Sequence, residues 1–216
     1  MFYNRPMPDK PYYRIGMIAR WKPVHIGQVA VLRALCQQSE RVLVGIGSSN
    51  RYNARNPFTL EETEDMLRLV LEGEGYSSGI ARGFLRREER PPRNDESEKE
   101  KTLIEIIPVP DLDDGPRWRV MVKELFGELD LFVTDNPYVT NLMKDIYQLA
   151  RPVDFIPPGE RVRVDGSMAR ASMARGERWQ DWVPARCVEY IESRGLDERF
   201  RREFGLQTLA METVIE

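Results

Sequence analysis

Arg20-Trp-Lys-Pro-Val-His25-Ile-Gly-Gln28 separates the apolar run Ile15 to Ala19 from a helical pattern that spans Val29 to Gln38. A buried strand that ends in Arg and Pro and then opens a helix brings a cation and the free helix amides to one point. Those amides lack intrahelical acceptors and the helix dipole adds partial positive charge, so anions bind there. The segment therefore predicts a strand–turn–helix unit that binds phosphate.

Three residues of this segment suit contact with a phosphate. Gly27 lets the backbone approach without a Cβ, and His25, the only histidine of the chain, can donate a hydrogen bond to a phosphoryl oxygen. Arg20 supplies positive charge. The alternative is that His25 is a turn residue and Arg20 an ordinary surface cation, because short motifs also occur by chance.

The composition is that of an ordinary globular protein. Among 216 residues, 32 Lys and Arg stand against 35 Asp and Glu, for a net charge of -3, and 41% of residues are hydrophobic. This balance gives no case for nucleic-acid binding. Residues 1–13 lack the apolar region of a signal peptide and no apolar run is long enough for a membrane span, so we expect a cytoplasmic protein without a membrane partner. Cys36 and Cys187 stand far apart, and no metal ligand set is predicted.

Short apolar runs alternate with helical patterns along the chain. The runs are continuous, rich in β-branched residues and followed by turn residues, which is typical of buried parallel strands. They are Arg14 to Ala19, Val42 to Gly47, Leu103 to Val109 and Leu129 to Thr134. The alternation predicts an α/β fold, a Rossmann-like doubly wound parallel sheet of about five strands with a C-terminal helical cap. Ligands of such sheets lie beyond the carboxyl ends of the strands. The residues at those ends are Arg20, Ser48, Pro110, Asp111 and Asn136.

The chain divides into three parts. Residues 1–13 form an N-terminal extension, residues 14–165 the Rossmann-like core, and residues 166–216 a C-terminal helical region. Helices are predicted there at Ser167 to Arg175, Trp179 to Arg194 and Asp197 to Phe204. Within the core, residues 77–101 are rich in Gly, Ser, Arg, Glu and Pro, which predicts a mobile insertion.

Five ordered segments resemble the archaeal-type nicotinamide mononucleotide (NMN) adenylyltransferases of the nucleotidyltransferase superfamily. The first is the opening segment, which is similar to the His-x-Gly-His signature that binds ATP phosphates. The others are Arg55 to Thr59, Ile107 to Asp111 with Trp118, Thr134 to Pro137, and Asp165 to Arg170. Each match is weak alone, but the ordered set is specific.

The resemblance implies adenylyl transfer from ATP, with Mg²⁺, to the phosphate of NMN, giving NAD and pyrophosphate by direct in-line attack. It also implies a set of site residues. Arg20 and Arg170 hold the triphosphate, Arg55 holds acceptor or reacting phosphates, His25 donates to phosphoryl oxygens, and Gly27, Ser167 and Asn136 complete the nucleotide site. Trp118 and Asp111 lie on the acceptor side, with core packing as the alternative for Trp118. The partners expected are these small molecules, and homo-oligomers occur in the family.

Three departures from the family pattern bear on function. Gln28 stands at the second histidine of the signature, and an amide can donate a hydrogen bond but carries no charge. Lys22 stands where the family usually has Gln, and we hypothesise that its ammonium restores some of that charge, so both residues are candidate catalytic groups. Gly115 stands at the asparagine that helps the family hold the acceptor's amide, which puts the acceptor in doubt.

Three functions therefore stay open. The first is an NMN-type adenylyltransferase. The second is a nucleotidyltransferase with another phosphorylated acceptor, cytidylyltransferase-like, which Gly115 favours. The third is a nucleotide-binding protein with weakened catalysis, which Gln28 favours. Retention of the histidine and of three separate arginines argues for an enzyme, because a pure binding protein has less need of the full set.

Overall fold

A parallel β-sheet forms the centre of the computed structural model, which describes residues 10–76, 78–80 and 102–212. The strands are β1 Tyr12–Ala19, β2 Ser39–Gly47, β3 Ser78–Ile80, β4 Leu103–Val109, β5 Leu131–Val133 and β6 Leu149–Ala150. They lie in the order β3-β4-β2-β1-β5-β6, with parallel pairing throughout. Without the short edge strand β3, the order is that of a five-stranded doubly wound sheet with β1 at its centre. The predicted fold class is confirmed.

Helices cover both faces of this sheet. They are α1 Ile26–Gln38, α2 Leu60–Gly73, α3 Gly115–Phe126, α4 Pro137–Met143, α5 Gly166–Arg175, α6 Ala185–Ser193 and α7 Leu196–Glu212. α1 begins before the apolar pattern does, because its first turn contains Gly27 and Gln28. Across the described ranges, no helix is both long enough and apolar enough to cross a bilayer.

Several boundaries differ from the sequence prediction. β1 begins at Tyr12, inside the stretch assigned to the N-terminal extension, while residues 1–9 lie outside the described residues. Of the predicted insertion 77–101, only Ser78–Ile80 are described, and they pair with β4. The predicted helix from Trp179 to Arg194 is divided into a 3-10 turn and α6, because Pro184 holds the preceding residue extended and starts a new helix.

Side chains alternate across the central strands and build a core on each face. On β2, Val42, Val44 and Ile46 face the larger cluster, which α1 and α2 share with the C-terminal helices. Leu43 faces the smaller cluster, which α3 and α4 cover. Met173 of α5 belongs to the larger cluster too. The C-terminal helices thus close the same core as the sheet, which fixes α5 near the start of α1.

α3 lies close against the sheet because two strand residues have no side chain there. A Cβ at Gly16 would lie 2.7 Å from Cδ1 of both Phe126 and Leu129. A Cβ at Gly45 would lie 2.9 Å from Cζ of Phe126. Phe126 is fully buried and packs edge-on against Phe132, at 6.1 Å between ring centroids. The two glycines therefore set the distance between α3 and the sheet.

We expect Gly16→Ala to lower the free energy of unfolding by about 1 to 3 kcal/mol, because the new methyl group overpacks a rigid core. The matched control is Gly205→Ala within α7, where the nearest atoms to a Cβ lie 3.9 Å away. There the same change replaces a helix-interior glycine, and stability should rise by up to about 1 kcal/mol. Urea denaturation of both variants measures the difference, and equal effects would contradict the packing argument.

Candidate functional site

A cavity of about 620 Å³ opens at the carboxyl edge of the sheet. Arg20 follows β1, Ser48 follows β2, and Asn136 follows β5, and all three line the cavity. Asp111 and Trp118, which come after β4, line it as well. Doubly wound sheets bind ligands at this edge. The cavity is therefore the candidate functional site.

Backbone strain is concentrated at the same edge. In the described part of the chain, three non-glycine residues have a left-handed backbone: Trp21 at φ 59°, Ser48 at φ 52° and Asp113 at φ 54°. Each lies just beyond the end of a strand that borders the cavity. The Trp21 ring is fully buried and its indole N–H donates to the Gly45 carbonyl at 2.8 Å, which holds the turn. Such strain collects at functional sites.

α1 begins directly at this edge, with His25 as its N-cap residue. The His25 backbone N–H donates to Oε1 of Gln28 at 3.2 Å, so one end of the glutamine amide belongs to the helix start and its NH₂ group remains as a donor. A Cβ at Gly27 would lie 3.1 Å from Cγ1 of Val164. Glycine at this position therefore avoids a close contact with Val164, in addition to the predicted role of letting the backbone approach a phosphate.

His25 is buried and uncharged at neutral pH. Its exposed fraction is 8%, and Nδ1 has no hydrogen-bond partner among the residues described. Burial lowers the pKa of His25 to about 4; Asp165 opposes this shift and Arg170 adds to it. The imidazole can therefore donate one hydrogen bond to a ligand, but it brings no positive charge of its own.

The start of α5 meets the start of α1. Nη1 of Arg170 donates to the Lys22 carbonyl at 3.0 Å, which ties α5 to the turn before α1. A Cβ at Gly166 would lie 4.0 Å from Cδ2 of His25, so the first turn of α5 faces the imidazole. Two helix N-termini, each with partial positive charge, thus converge on one point.

Arginine side chains add to this positive region. Burial lowers the pKa of Arg170 to about 10, repulsion from Arg20 lowers it further, Asp165 opposes the shift, and Arg55 adds a smaller repulsion. Arg20 and Arg55 are themselves exposed. The structure therefore brings Arg20 and Arg55 close enough to Arg170 to repel its charge, and a bound polyanion would relieve this repulsion.

Asp165 and Ser167 are occupied with the start of α5. Oδ1 of Asp165 accepts from the backbone N–H of Ser167 at 2.7 Å and of Met168 at 3.0 Å, and also from the Ser167 hydroxyl. Although burial acts the other way, these hydrogen bonds keep the pKa of Asp165 below its usual range. Ser167 is thus placed at the predicted helix start, with its hydroxyl turned to Asp165.

Lys22 is buried beneath the loop that follows β2. Its exposed fraction is 2%, and Nζ donates to the carbonyls of Ser48 at 3.2 Å and Arg51 at 3.4 Å. Burial lowers the pKa of Lys22 to about 8, with Asp111 opposing that shift. The ammonium faces backbone carbonyls of the loop, so its geometry suits holding this loop better than contacting phosphate.

The predicted acceptor side is the wall of the cavity beyond β4 and β5. The side-chain amide of Asn50 donates to the Asp111 backbone carbonyl and accepts from the Asp111 backbone N–H, each at 2.9 Å. Trp118 is half-buried, packs against the smaller core cluster and lines the cavity. Oδ1 of Asn136 accepts from the Tyr138 backbone N–H at 2.9 Å, so its side chain caps α4. Asp111, Trp118 and Asn136 thus line one cavity, but Oδ1 of Asn136 already accepts a hydrogen bond from the start of α4.

The loop that carries Arg55 is held from behind by α7. Arg199 donates to both carboxylate oxygens of Glu62, at 2.6 and 2.7 Å, and to the Pro57 carbonyl at 3.1 Å. Arg199 is not predicted from the sequence, because its ion pair joins positions far apart in the chain.

Tyr138 also lines the cavity and is not predicted from the sequence either. The pattern that could have indicated it is an aromatic residue directly after the Asn-Pro pair at a strand end.

Comparison with known proteins gives sequence relatives over most of the chain. No family model matches. A nicotinamide-nucleotide adenylyltransferase from Pyrococcus furiosus is 28% identical over 186 residues, which are 85% of this chain and 85% of that protein. Another, from Aeropyrum pernix, is 29% identical over 192 residues, which are 88% of this chain and 96% of that protein.

Among solved structures, the fold is similar to a bifunctional NMN adenylyltransferase/ADP ribose pyrophosphatase from Francisella tularensis. The TM-score is 0.60 and the identity 15%; the match covers 88% of this chain and 53% of that one. A second structure of the bifunctional protein, complexed with AMP and Mn ion, gives a TM-score of 0.55 at 16% identity, covering 89% of this chain and 52% of that one. At these identities the likeness concerns the fold alone.

The doubly wound sheet, with two helix starts meeting at its carboxyl edge, is the fold that the resemblance to the nucleotidyltransferase superfamily implies. In sequence the chain is similar to archaeal nicotinamide-nucleotide adenylyltransferases over most of its length, which confirms the resemblance found in the sequence.

A proton NMR titration tests the state of the imidazole, because the only histidine gives a single C2–H signal. We expect a midpoint near pH 4, since burial disfavours the charged ring. The unfolded chain takes up this proton near the ordinary value of 6.5, so the free energy of unfolding should fall as the pH drops from about 6.5 to about 4. A midpoint at 6 or above would contradict a buried neutral His25. In Asp165→Asn the midpoint should fall further.

Proposed function

We propose that the chain transfers the adenylyl group of ATP to the phosphate of NMN, forming NAD and pyrophosphate. The observation that carries the proposal is the contact of Arg170 with the turn before α1, with Arg20 and Arg55 close enough to lower the pKa of Arg170 and Asp165 as the acid that opposes them. Such an excess of positive charge, partly buried at the edge of the sheet, suits a triphosphate. The sequence relatives named as NMN adenylyltransferases supply the identity of the two substrates.

The reaction forms one bond and breaks one. An oxygen of the NMN phosphate attacks the α-phosphorus of ATP, while the bond from that phosphorus to the oxygen bridging to the β-phosphate breaks. Pyrophosphate leaves with the electron pair of the broken bond. The protein has little covalent work here, so its residues act by positioning the two phosphates in line and by stabilising the charge that moves to the leaving oxygens.

The two helix starts hold the triphosphate in this proposal. The free amides of the first turn of α1 and the guanidinium of Arg170 bind its oxygens, and Arg20 neutralises charge at the mouth of the cavity. His25 donates from its neutral ring to a phosphoryl oxygen, a role that fits its low pKa. The NH₂ of Gln28 adds a second, uncharged donor.

The acceptor occupies the cavity that Trp118, Asp111 and Asn136 line. Its base lies against Trp118, whose half-buried indole gives a stacking face worth about 1 to 3 kcal/mol. Arg55, exposed on the loop that α7 holds, reaches the acceptor phosphate or the reacting phosphates. Lys22 keeps this loop in place through the Ser48 and Arg51 carbonyls. Both substrates thus meet at the helix starts.

Mg²⁺ is expected to enter with the triphosphate. Magnesium usually keeps phosphate oxygens and water as ligands and needs few protein groups. The described residues contain no cluster of three or more His, Cys, Asp or Glu that could hold a metal ion, and the donors at the helix starts are cationic. This set fits an ion carried by phosphate oxygens, which when bound would neutralise part of the triphosphate charge.

Incubation with ATP, NMN and Mg²⁺ should yield NAD and pyrophosphate in equal amounts. In Arg170→Lys we expect kcat to fall on the order of 10²-fold, because an ammonium replaces the charge but not the planar donor fork. Arg178→Lys is the matched control, since that arginine is 82% exposed and pairs only with Asp181 among the described ion pairs. Full activity of Arg170→Lys alongside unchanged ATP affinity would argue against this site.

Gln28→His should raise kcat by about tenfold, because a second imidazole can carry positive charge at the reacting phosphates. Gln37→His serves as the control, since Gln37 is exposed near the opposite end of α1. Rates are measured by pyrophosphate release with both substrates saturating. A loss of activity in Gln28→His, with Gln37→His unchanged, would show that the amide itself is the better donor here.

A further inference from the structure

Tyr138 is a large aromatic residue on the cavity wall whose side chain is exposed. Its exposed fraction is 61%, and it lines the cavity from the first turn of α4. The Asn136 cap fixes the start of this helix through the Tyr138 backbone N–H. The tyrosine hydroxyl has no hydrogen-bond partner within the described part of the chain. An aromatic side chain with a free polar end on a cavity wall is suited to bind a ligand.

The hydroxyl of Tyr138 lies over Gly115, the first residue of α3. A Cβ at Gly115 would be 2.6 Å from Oη of Tyr138, 3.5 Å from its Cζ and 3.2 Å from Cδ2 of Leu142. The backbone of Gly115 is not left-handed, so its conformation does not require glycine. The absent side chain instead makes room for the tyrosine hydroxyl, which is thereby placed beside the turn of α3 that carries Trp118.

The charges that line the cavity select among ligands. Asp111, Asp113, Asp114 and Asp135 all line the cavity, with Arg20 as the lining cation and Arg51 paired to the first two acids. A carboxylate on a bound ring could also accept a hydrogen bond from the hydroxyl, but these acids would repel it from that position. An uncharged amide can hydrogen-bond to the hydroxyl without that repulsion, and a cationic ring would be attracted.

We propose that Tyr138, seated over Gly115, determines acceptor specificity by hydrogen-bonding a carboxamide on the acceptor's ring. The cavity then prefers a pyridine mononucleotide with a carboxamide to one with a carboxylate. This inference rests on the proposed function, because it concerns the second substrate of the same site. Tyr138 acts on binding of the acceptor base and does not touch the reacting phosphates.

The test compares NMN with nicotinic acid mononucleotide in wild type and Tyr138→Phe. Loss of one neutral hydrogen bond should raise the KM for NMN about five- to tenfold, with kcat and the KM for ATP within about twofold. The KM for the carboxylate acceptor should change less, so the preference for NMN narrows. Tyr76→Phe is the control, since Tyr76 follows α2 and does not line the cavity. An unchanged KM for NMN in Tyr138→Phe, or an equal rise for both acceptors, overturns the proposal.

Gly115→Ala provides a second test that leaves the hydroxyl in the protein. Its methyl group would sit 2.6 Å from Oη and must displace it, so the KM for NMN should rise as in Tyr138→Phe. In the double variant there is no hydroxyl to displace, and the second substitution should add less than twofold. Additive effects of the two substitutions overturn the proposal, because they would mean that Gly115 and Tyr138 act independently.

Calorimetric binding of NMN separates this inference from the proposed function. If wild type binds NMN more tightly than Tyr138→Phe but forms no NAD, the proposed function fails and the specificity role stands. If NAD forms and both proteins bind NMN equally, the role of Tyr138 fails and the proposed function stands. Absence of both binding and turnover overturns both.

Discussion

The hydrogen bond from Arg170 to the Lys22 carbonyl joins two helix starts that electrostatics would push apart. Burial and the neighbouring Arg20 both disfavour the charged guanidinium, and Asp165 compensates for this in part. The contact persists because the C-terminal helices share the main core with the sheet, so α5 has no freedom to retreat. Hydrophobic burial thus holds together positive groups that repel one another. A bound anion would relieve this repulsion.

Other elements of the site are held by residues that face away from the ligand. Lys22 supports the loop after β2 from below, and Arg199 supports the Arg55 loop from α7 through Glu62. Loops at the edge of an open sheet have few strand hydrogen bonds of their own. Their positions therefore depend on long-range ion pairs and on buried donors, and the C-terminal helices contribute to the site as supports as well as through Arg170.

The sequence predicted the sheet well, because buried parallel strands are continuous apolar runs such as Val42 to Gly47 that need little context to be recognised. The residues at the strand ends, which line the cavity, could be predicted from the fold class. The roles of the arginines could be predicted only from the resemblance to the family. The division at Pro184 and the orientation of Lys22 did not follow, since each depends on packing that no local pattern encodes. Gly115 counted against an amide-bearing acceptor in the sequence; in the structure the same position holds the Tyr138 hydroxyl.

The contact of Phe126 with Gly16 and Gly45 has a consequence at the opposite end of α3. Phe126 ends this helix, while Gly115 and Trp118 form its first turn on the cavity wall. A helix is a stiff rod, so fixing its last residue against the sheet limits how far its first turn can tilt. The width of the cavity open to the second substrate therefore depends on the absence of a Cβ at Gly16 and Gly45, two buried residues that do not themselves line the cavity.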